Sequence, residues 1–193
     1  MSVPAIILCA GESRRMGSPK ALLPFRSGTF LSVLAETLRS RCSPVIAVFG
    51  FDGEKIASHA PAGVIPVINR EYEDGMLTSL QAGLRALPRL PGRILFTLVD
   101  HPNPDASTVD ALMQSSAPIA IPRMNGRRGH PVIVDAEIAA EFLREGPASK
   151  VRDVIDGHQN FIEYVEVNDP GISDDIDDPA LYSALLARDT ARS

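Results

Sequence analysis

The chain has 193 residues, 45% of them hydrophobic and 22% charged, a composition that argues against global disorder and supplies enough apolar surface for a core. Its 19 basic and 24 acidic residues leave a net charge of −5, which argues against a nucleic-acid binder with a basic face but permits a small anionic ligand met by local positive charge. No apolar run approaches the roughly 20 residues that span a bilayer, and Cys9 and Cys42 form neither a disulfide framework nor a zinc spacing, so a cytoplasmic protein with one domain over residues 1–193 is expected.

Short apolar runs alternate with amphipathic stretches. Residues 5–8 read as a buried strand. Phe30, Leu31, Leu34 and Leu38 recur at helical spacing behind Ser27 or Thr29 as N-cap. Val45–Phe49 and Val64–Ile68 are two further strands, with a turn near Gly50 after the first. Met76, Leu80, Leu84 and Leu87 mark a helix that Pro88 stops. Residues 94–99 form the strongest strand, and a helix follows Asp105. Residues 117–122 and 131–134 are extended, with the turn signal Asn125-Gly126 between them; the connection is too long to guarantee a two-residue hairpin. Two helices over 138–143 and 150–155, a strand over 160–167 and a helix over 179–186 complete the chain, and residues 189–193 are expected to fray. Continuous apolarity in the strands and the regular alternation predict crossover units around a covered, mainly parallel sheet.

The segment Leu8-Cys9-Ala10-Gly11-Glu12-Ser13-Arg14-Arg15-Met16-Gly17-Ser18-Pro19-Lys20 follows the first strand directly. Ligands of open α/β sheets sit beyond the carboxyl ends of strands. Gly11 and Gly17 permit positive φ and close backbone approach, and successive N–H groups can cup phosphate oxygens. Arg15 and Lys20 add positive charge. The glycine spacing fits neither a dinucleotide fingerprint nor a Walker loop. A solvated basic turn is the plainer alternative for each cation alone; their grouping behind a buried strand favours a ligand loop.

Asp100 ends the strongest strand and would face the same crevice, where a triphosphate brings magnesium that prefers one or two carboxylates. A simple strand-ending turn is the alternative. The acidic run 173–178 reads as a helix start unless it joins that site. Gly75 opens a helix whose N-terminus favours anions. The basic stretch 123–131 is either a charged turn or a contact for an anionic acceptor.

Leu8-Cys9-Ala10-Gly11 with Ser13, Arg15-Met16-Gly17 and Lys20 closely resembles the signature of the MobA-like nucleotidyltransferases, nearest to the molybdenum cofactor cytidylyltransferase form. That resemblance implies a three-layer Rossmann-like (GT-A-like) α/β fold and transfer of a nucleoside monophosphate from a triphosphate, CTP favoured, to a small phosphorylated acceptor. It implies nucleotide contacts at Leu8, Cys9, Ala10, Gly11, Glu12, Ser13, Gly17, Gly75 and Ser79, the last two on a Gly-Met-x-x-Ser-Leu pattern. Arg15, Lys20 and Asp100 would be catalytic. Asp100-His101-Pro102 resembles the family's Asp-x-Pro, with His101 in place of a common Gln. Ile176-Asp177-Asp178-Pro179 resembles a late segment that would make Asp177, and less strongly Asp175, a second magnesium contact beside Asp100. Arg128-Gly129-His130-Pro131 resembles an acceptor-side stretch, so His101, Arg128 and His130 are the acceptor-side candidates. Cys9 as a nucleophile is the sharper reading, and a buried small residue the plainer one. A guanylyl- or sugar-phosphate transferase and a non-catalytic nucleotide-binding protein are the alternatives.

Overall fold

The two covered faces of the first strand set the layers. In the computed structural model, which describes residues 2–191, β1 (Ala5–Cys9) is buried on both faces. Ala5, Ile7 and Cys9 join one apolar cluster, and Ile6 and Leu8 join the other. A strand covered on both sides belongs at the centre of a three-layer α/β/α arrangement.

β1 pairs in parallel with β4 (Val45–Phe49) and with β6 (Arg93–Leu98), and β4 pairs in parallel with β5 (Val64–Ile68) at the edge. On the other side of β6 runs β9 (Val132–Asp135), antiparallel to it and to β7 (Ile119–Met124), which pairs in parallel with β10 (Ile162–Glu166). The sheet order is therefore β10-β7-β9-β6-β1-β4-β5, mainly parallel with β9 reversed. Residues Asn125 and Gly126, both at positive φ, turn β7 directly into β8 (Arg127–Arg128), so the connection does contain a two-residue hairpin. A small separate ribbon joins β2 (Pro24–Phe25) to β3 (Gly28–Thr29).

α1 (Phe30–Arg39) buries Phe30, Leu31, Leu34 and Leu38 on one face of the sheet, together with Val109 and Leu112 of α4 (Ala106–Gln114) and Leu185 of α7 (Pro179–Thr190). Thr29 caps α1 in a reciprocal box with Ser32. The opposite face takes α3 (Met76–Arg85), α5 (Ala136–Arg144) and α6 (Val151–Gly157). Gly83 lets α3 sit directly on the sheet, since a Cβ there would lie 2.7 Å from Ile6 Cγ2. The short α2 (Gly53–Ala57) follows β4 and had no apolar period to announce it. Helix α7 runs on through Asp189 and Thr190, so those two residues do not fray as expected; the remainder of that expectation, at residues 192–193, lies outside the described residues.

Candidate active site

The carboxyl ends of β1 and β6 open on a cleft of about 790 Å³, in the size range of small-molecule sites. Its floor is Leu8, Cys9, Ala10 and Gly11, where β1 ends. A Cβ on Gly11 would meet nothing within 4 Å, so the backbone there borders open space. The loop then closes on itself. Ser13 takes a left-handed conformation (φ 53°), its Oγ accepts a hydrogen bond from Lys20 N (3.0 Å), and its carbonyl accepts from Met16 N (2.9 Å). Gly17 supplies a second left-handed step (φ 67°).

That closure delivers Lys20 to the centre of the cleft. Its side chain is 12% exposed, and Nζ donates to Asp100 Oδ2 (3.0 Å) and to Asp177 Oδ1. Arg15 donates to the other oxygen of Asp177 (2.7 Å). Asp100 stands just beyond β6, and Asp177 lies on the segment entering α7. Ile176 N–H donates to the Asp100 carbonyl (3.0 Å), which pins the late acidic run to the strand end. Burial alone would lower the Lys20 ammonium; the Asp100 and Asp177 carboxylates outweigh it and hold it raised. The hydrogen bond from Lys20 holds the Asp177 carboxyl below its usual range. Asp175 goes the other way, raised by burial first and then by the charges of Asp100 and Asp177.

The third wall is the segment before α3. Gly75, at φ 112°, is its N-cap and makes no side-chain cap, and Gly75, Met76 and Ser79 line the cleft at this helix start, the end of a helix that favours anions. Asn69 was not singled out from the sequence, yet it organises this wall. Its Nδ2 donates to Thr78 Oγ1 (2.9 Å) and Ser79 Oγ (3.0 Å), and its Oδ1 accepts from Glu71 N (3.0 Å). A polar residue directly behind the β5 run was the available signal. Tyr72 and Glu73 also line the cleft and carried no motif.

Of the sequence candidates, Leu8 to Ser13, Arg15, Lys20, Gly75, Ser79, Asp100 and Asp177 all line this one cleft. Gly17, His101, Arg128 and His130 are not among its lining residues. Arg128 is exposed on β8 and pairs with Asp156 (3.2 Å). His130 is held inside, its ring 4.8 Å from that of His101 and 6.2 Å from that of Phe96. Burial first, and then His101, depress its pKa to about 3, so it is a neutral ring. The Arg128-Gly129-His130 stretch instead clamps the late segment: His130 N donates to Ile172 O (2.9 Å), and a Cβ on Gly129 would lie 2.0 Å from that oxygen. His101 is buried beside Asp100. Cys9 is likewise buried, and burial first, then Asp100, push its thiol well above the usual range, which removes it as a nucleophile at neutral pH.

The residues suited to a cation are oxygen-rich. Asp100, His101 and Asp175 each bring one ligand atom to within 4.8 Å of the others, and Asp100 Oδ1 is buried with no partner among the described residues. An unbonded buried carboxylate oxygen beside a cationic cluster is the arrangement a phosphate-bound divalent cation would complete.

Comparison with known proteins bears on the family and the fold. The sequence profile described as the MobA-like NTP transferase domain matches residues 5–161. Nicotine blue oxidoreductase of Paenarthrobacter nicotinovorans is 32% identical over 91% of this chain and 92% of its own. The molybdenum cofactor cytidylyltransferase of Escherichia coli K12 is 28% identical over 92% of both chains. Among solved structures, a nucleotidyl transferase from Methanothermobacter superposes with a TM-score of 0.81 at 20% identity, covering 100% of this chain and 99% of that one, a likeness of fold.

Proposed function

The chain belongs to the MobA-like NTP transferase family, a family of nucleotidyltransferases, and from that premise we propose a divalent-cation-dependent transfer of a nucleoside monophosphate from its triphosphate to a phosphate-bearing acceptor. CTP is the favoured donor and a molybdopterin-type phosphate the favoured acceptor, supported by the likeness to the E. coli cytidylyltransferase over 92% of both chains. The observation that carries the reading is that Lys20 ties together two carboxylates, Asp100 and Asp177, from distant parts of the chain inside one cleft.

Asp100 and Asp177 would hold magnesium, which suits oxygen ligands and, when bound, supplies charge neutralisation to the phosphate oxygens. The base rests against residues 8–11 and the phosphates reach the loop. Arg15 and Lys20 turn from Asp177 to the phosphate oxygens and stabilise charge that builds on the leaving pyrophosphate. N–H groups at Gly11 and at the α3 N-terminus add donors. The acceptor phosphate forms a bond to the α-phosphorus as the α–β bridging bond breaks. That acceptor is already ionised, so no general base is needed, in keeping with the neutral, enclosed His130. Two free cysteines fit the reducing, cytoplasmic setting of the proposal.

Pyrophosphate release, measured across the four triphosphates with magnesium and a molybdopterin acceptor, tests this. Acceptor-dependent release, fastest with CTP, is expected. Fastest release with GTP, or with a sugar phosphate as acceptor, moves the assignment within the family, and tight triphosphate binding without release under any acceptor favours a binding protein. An oxidoreductase is the second reading, favoured by the 32% identity to nicotine blue oxidoreductase. Redox turnover of a candidate substrate, with no pyrophosphate release, would select it.

A further inference from the structure

Asp177 is already engaged by Lys20 and Arg15. A different group remains unsatisfied beside it. His101 follows Asp100 at the end of β6, and Asp175 arrives on the segment pinned by the Ile176–Asp100 hydrogen bond. The three side chains bring one ligand atom each to within 4.8 Å of one another. His101 is only 8% exposed, and among the described residues its buried Nδ1 has no hydrogen-bond partner, nor has the buried Asp100 Oδ1. A buried polar atom left unbonded is destabilising, and a bound ligand removes that cost. His130 packs against the His101 ring, with centroids 4.8 Å apart, and limits where that ring can turn.

We propose that Asp100, His101 and Asp175 form a cation site that prefers borderline transition ions, Mn²⁺ or Co²⁺, over Mg²⁺. Chemistry decides the class. Magnesium takes oxygen ligands in near-ideal octahedral geometry and keeps several waters. One imidazole nitrogen with two carboxylates suits first-row transition ions, whose affinity for nitrogen donors is higher. Ligands about 2.1 Å from one ion stand roughly 3–4 Å apart, so closure requires movement of about 1 Å. Asp175 is exposed and on a coil segment, and is free to make it. The acceptor-side histidine of the sequence reading then becomes a metal ligand, and a Gln in its place would supply only an amide.

This inference rests on reading Asp100 as a cation ligand, so it is tested without nucleotide, apart from the transfer reaction that pyrophosphate release decides. The chelator-stripped protein is titrated with Co²⁺, following its visible absorption, and then with Mg²⁺ in competition. One Co²⁺ per chain is expected, bound at least about tenfold more tightly than Mg²⁺. His101→Gln and Asp175→Asn should each weaken Co²⁺ about tenfold or more, and His101→Gln should also change the absorption spectrum. Circular dichroism checks that each variant is folded. Asp175 is exposed, so its variant remains informative even where the buried His101 substitution fails to fold. Unchanged Co²⁺ affinity in either folded variant, or equal affinity for Co²⁺ and Mg²⁺ in the unaltered protein, would overturn the assignment.

Discussion

Replacing Lys20 by Met keeps most of the side-chain volume and removes the charge that joins Asp100 to Asp177. Two effects of different size follow. In catalysis, Lys20 is assigned to charge that appears only as pyrophosphate leaves, so its loss should lower kcat on the order of 100-fold, or about 2.7 kcal/mol in the barrier. KM for the triphosphate should move much less, because the base and the backbone donors of the loop are untouched. In stability, the variant loses two charge-assisted hydrogen bonds from a side chain only 12% exposed. Asp177 is a third exposed and can turn to water, so a net cost of about 1–2 kcal/mol is expected, or roughly 2–8 °C in Tm for a chain of this size. Steady-state pyrophosphate release and thermal melting separate the two. A folded Lys20→Met protein with kcat within about threefold of the original would refute the electrostatic role given to this residue.

Three other outcomes are expected. Gly129→Ala puts a Cβ about where the Ile172 carbonyl sits, 2.0 Å away, so the clamp must open; a loss of about 1–3 kcal/mol is expected in chemical denaturation, and wild-type stability would count against the clamp. The thiols of Cys9 and Cys42 are both raised, chiefly by burial, that of Cys42 to about 12, so mass spectrometry after iodoacetamide treatment at neutral pH should find the native protein unlabelled and the unfolded protein labelled twice. The folded Asp177 carboxyl lies below its unfolded value, so its contribution to stability is complete above the ordinary carboxylate range and disappears as pH falls through the lowered value. Denaturation midpoints compared below about pH 4 should therefore fall less steeply in Asp177→Asn than in the unaltered chain.

The central strands were legible because a doubly covered strand has to be apolar along its whole length, and Val45–Phe49, buried throughout, carries that signature to the residue; Val64–Ile68 is equally apolar although it lies at the sheet edge and is largely exposed. The reversed direction of β9 was not, since direction depends on what the strand pairs with and leaves no local pattern. Asn125-Gly126 marked a turn, yet whether the turn closed a tight hairpin depended on the pairing of Met124 with Arg127. At the site, Lys20 and Asp100 could be joined from sequence because both follow strands that end at one crevice. Asn69 stayed hidden because its role is made of hydrogen bonds to Thr78 and Ser79, visible only once β5 and α3 are packed. His130 could be named from sequence only as an acceptor-side candidate among arginines; that the turn aims its ring at Phe96 and His101 shows only in the fold. The acidic run 173–178 offered several carboxylates, and backbone direction alone sorted Asp177 toward Lys20 and Asp175 toward His101.

The most direct measurement is a crystal structure with magnesium and a CTP analogue that cannot release pyrophosphate. The triphosphate should lie along the turn after β1, with Lys20 Nζ moved from Asp177 onto a phosphate oxygen and a cation bridging the phosphates to Asp100. Nucleotide bound elsewhere on the molecule, with Lys20 still bridging Asp100 and Asp177, would contradict the account.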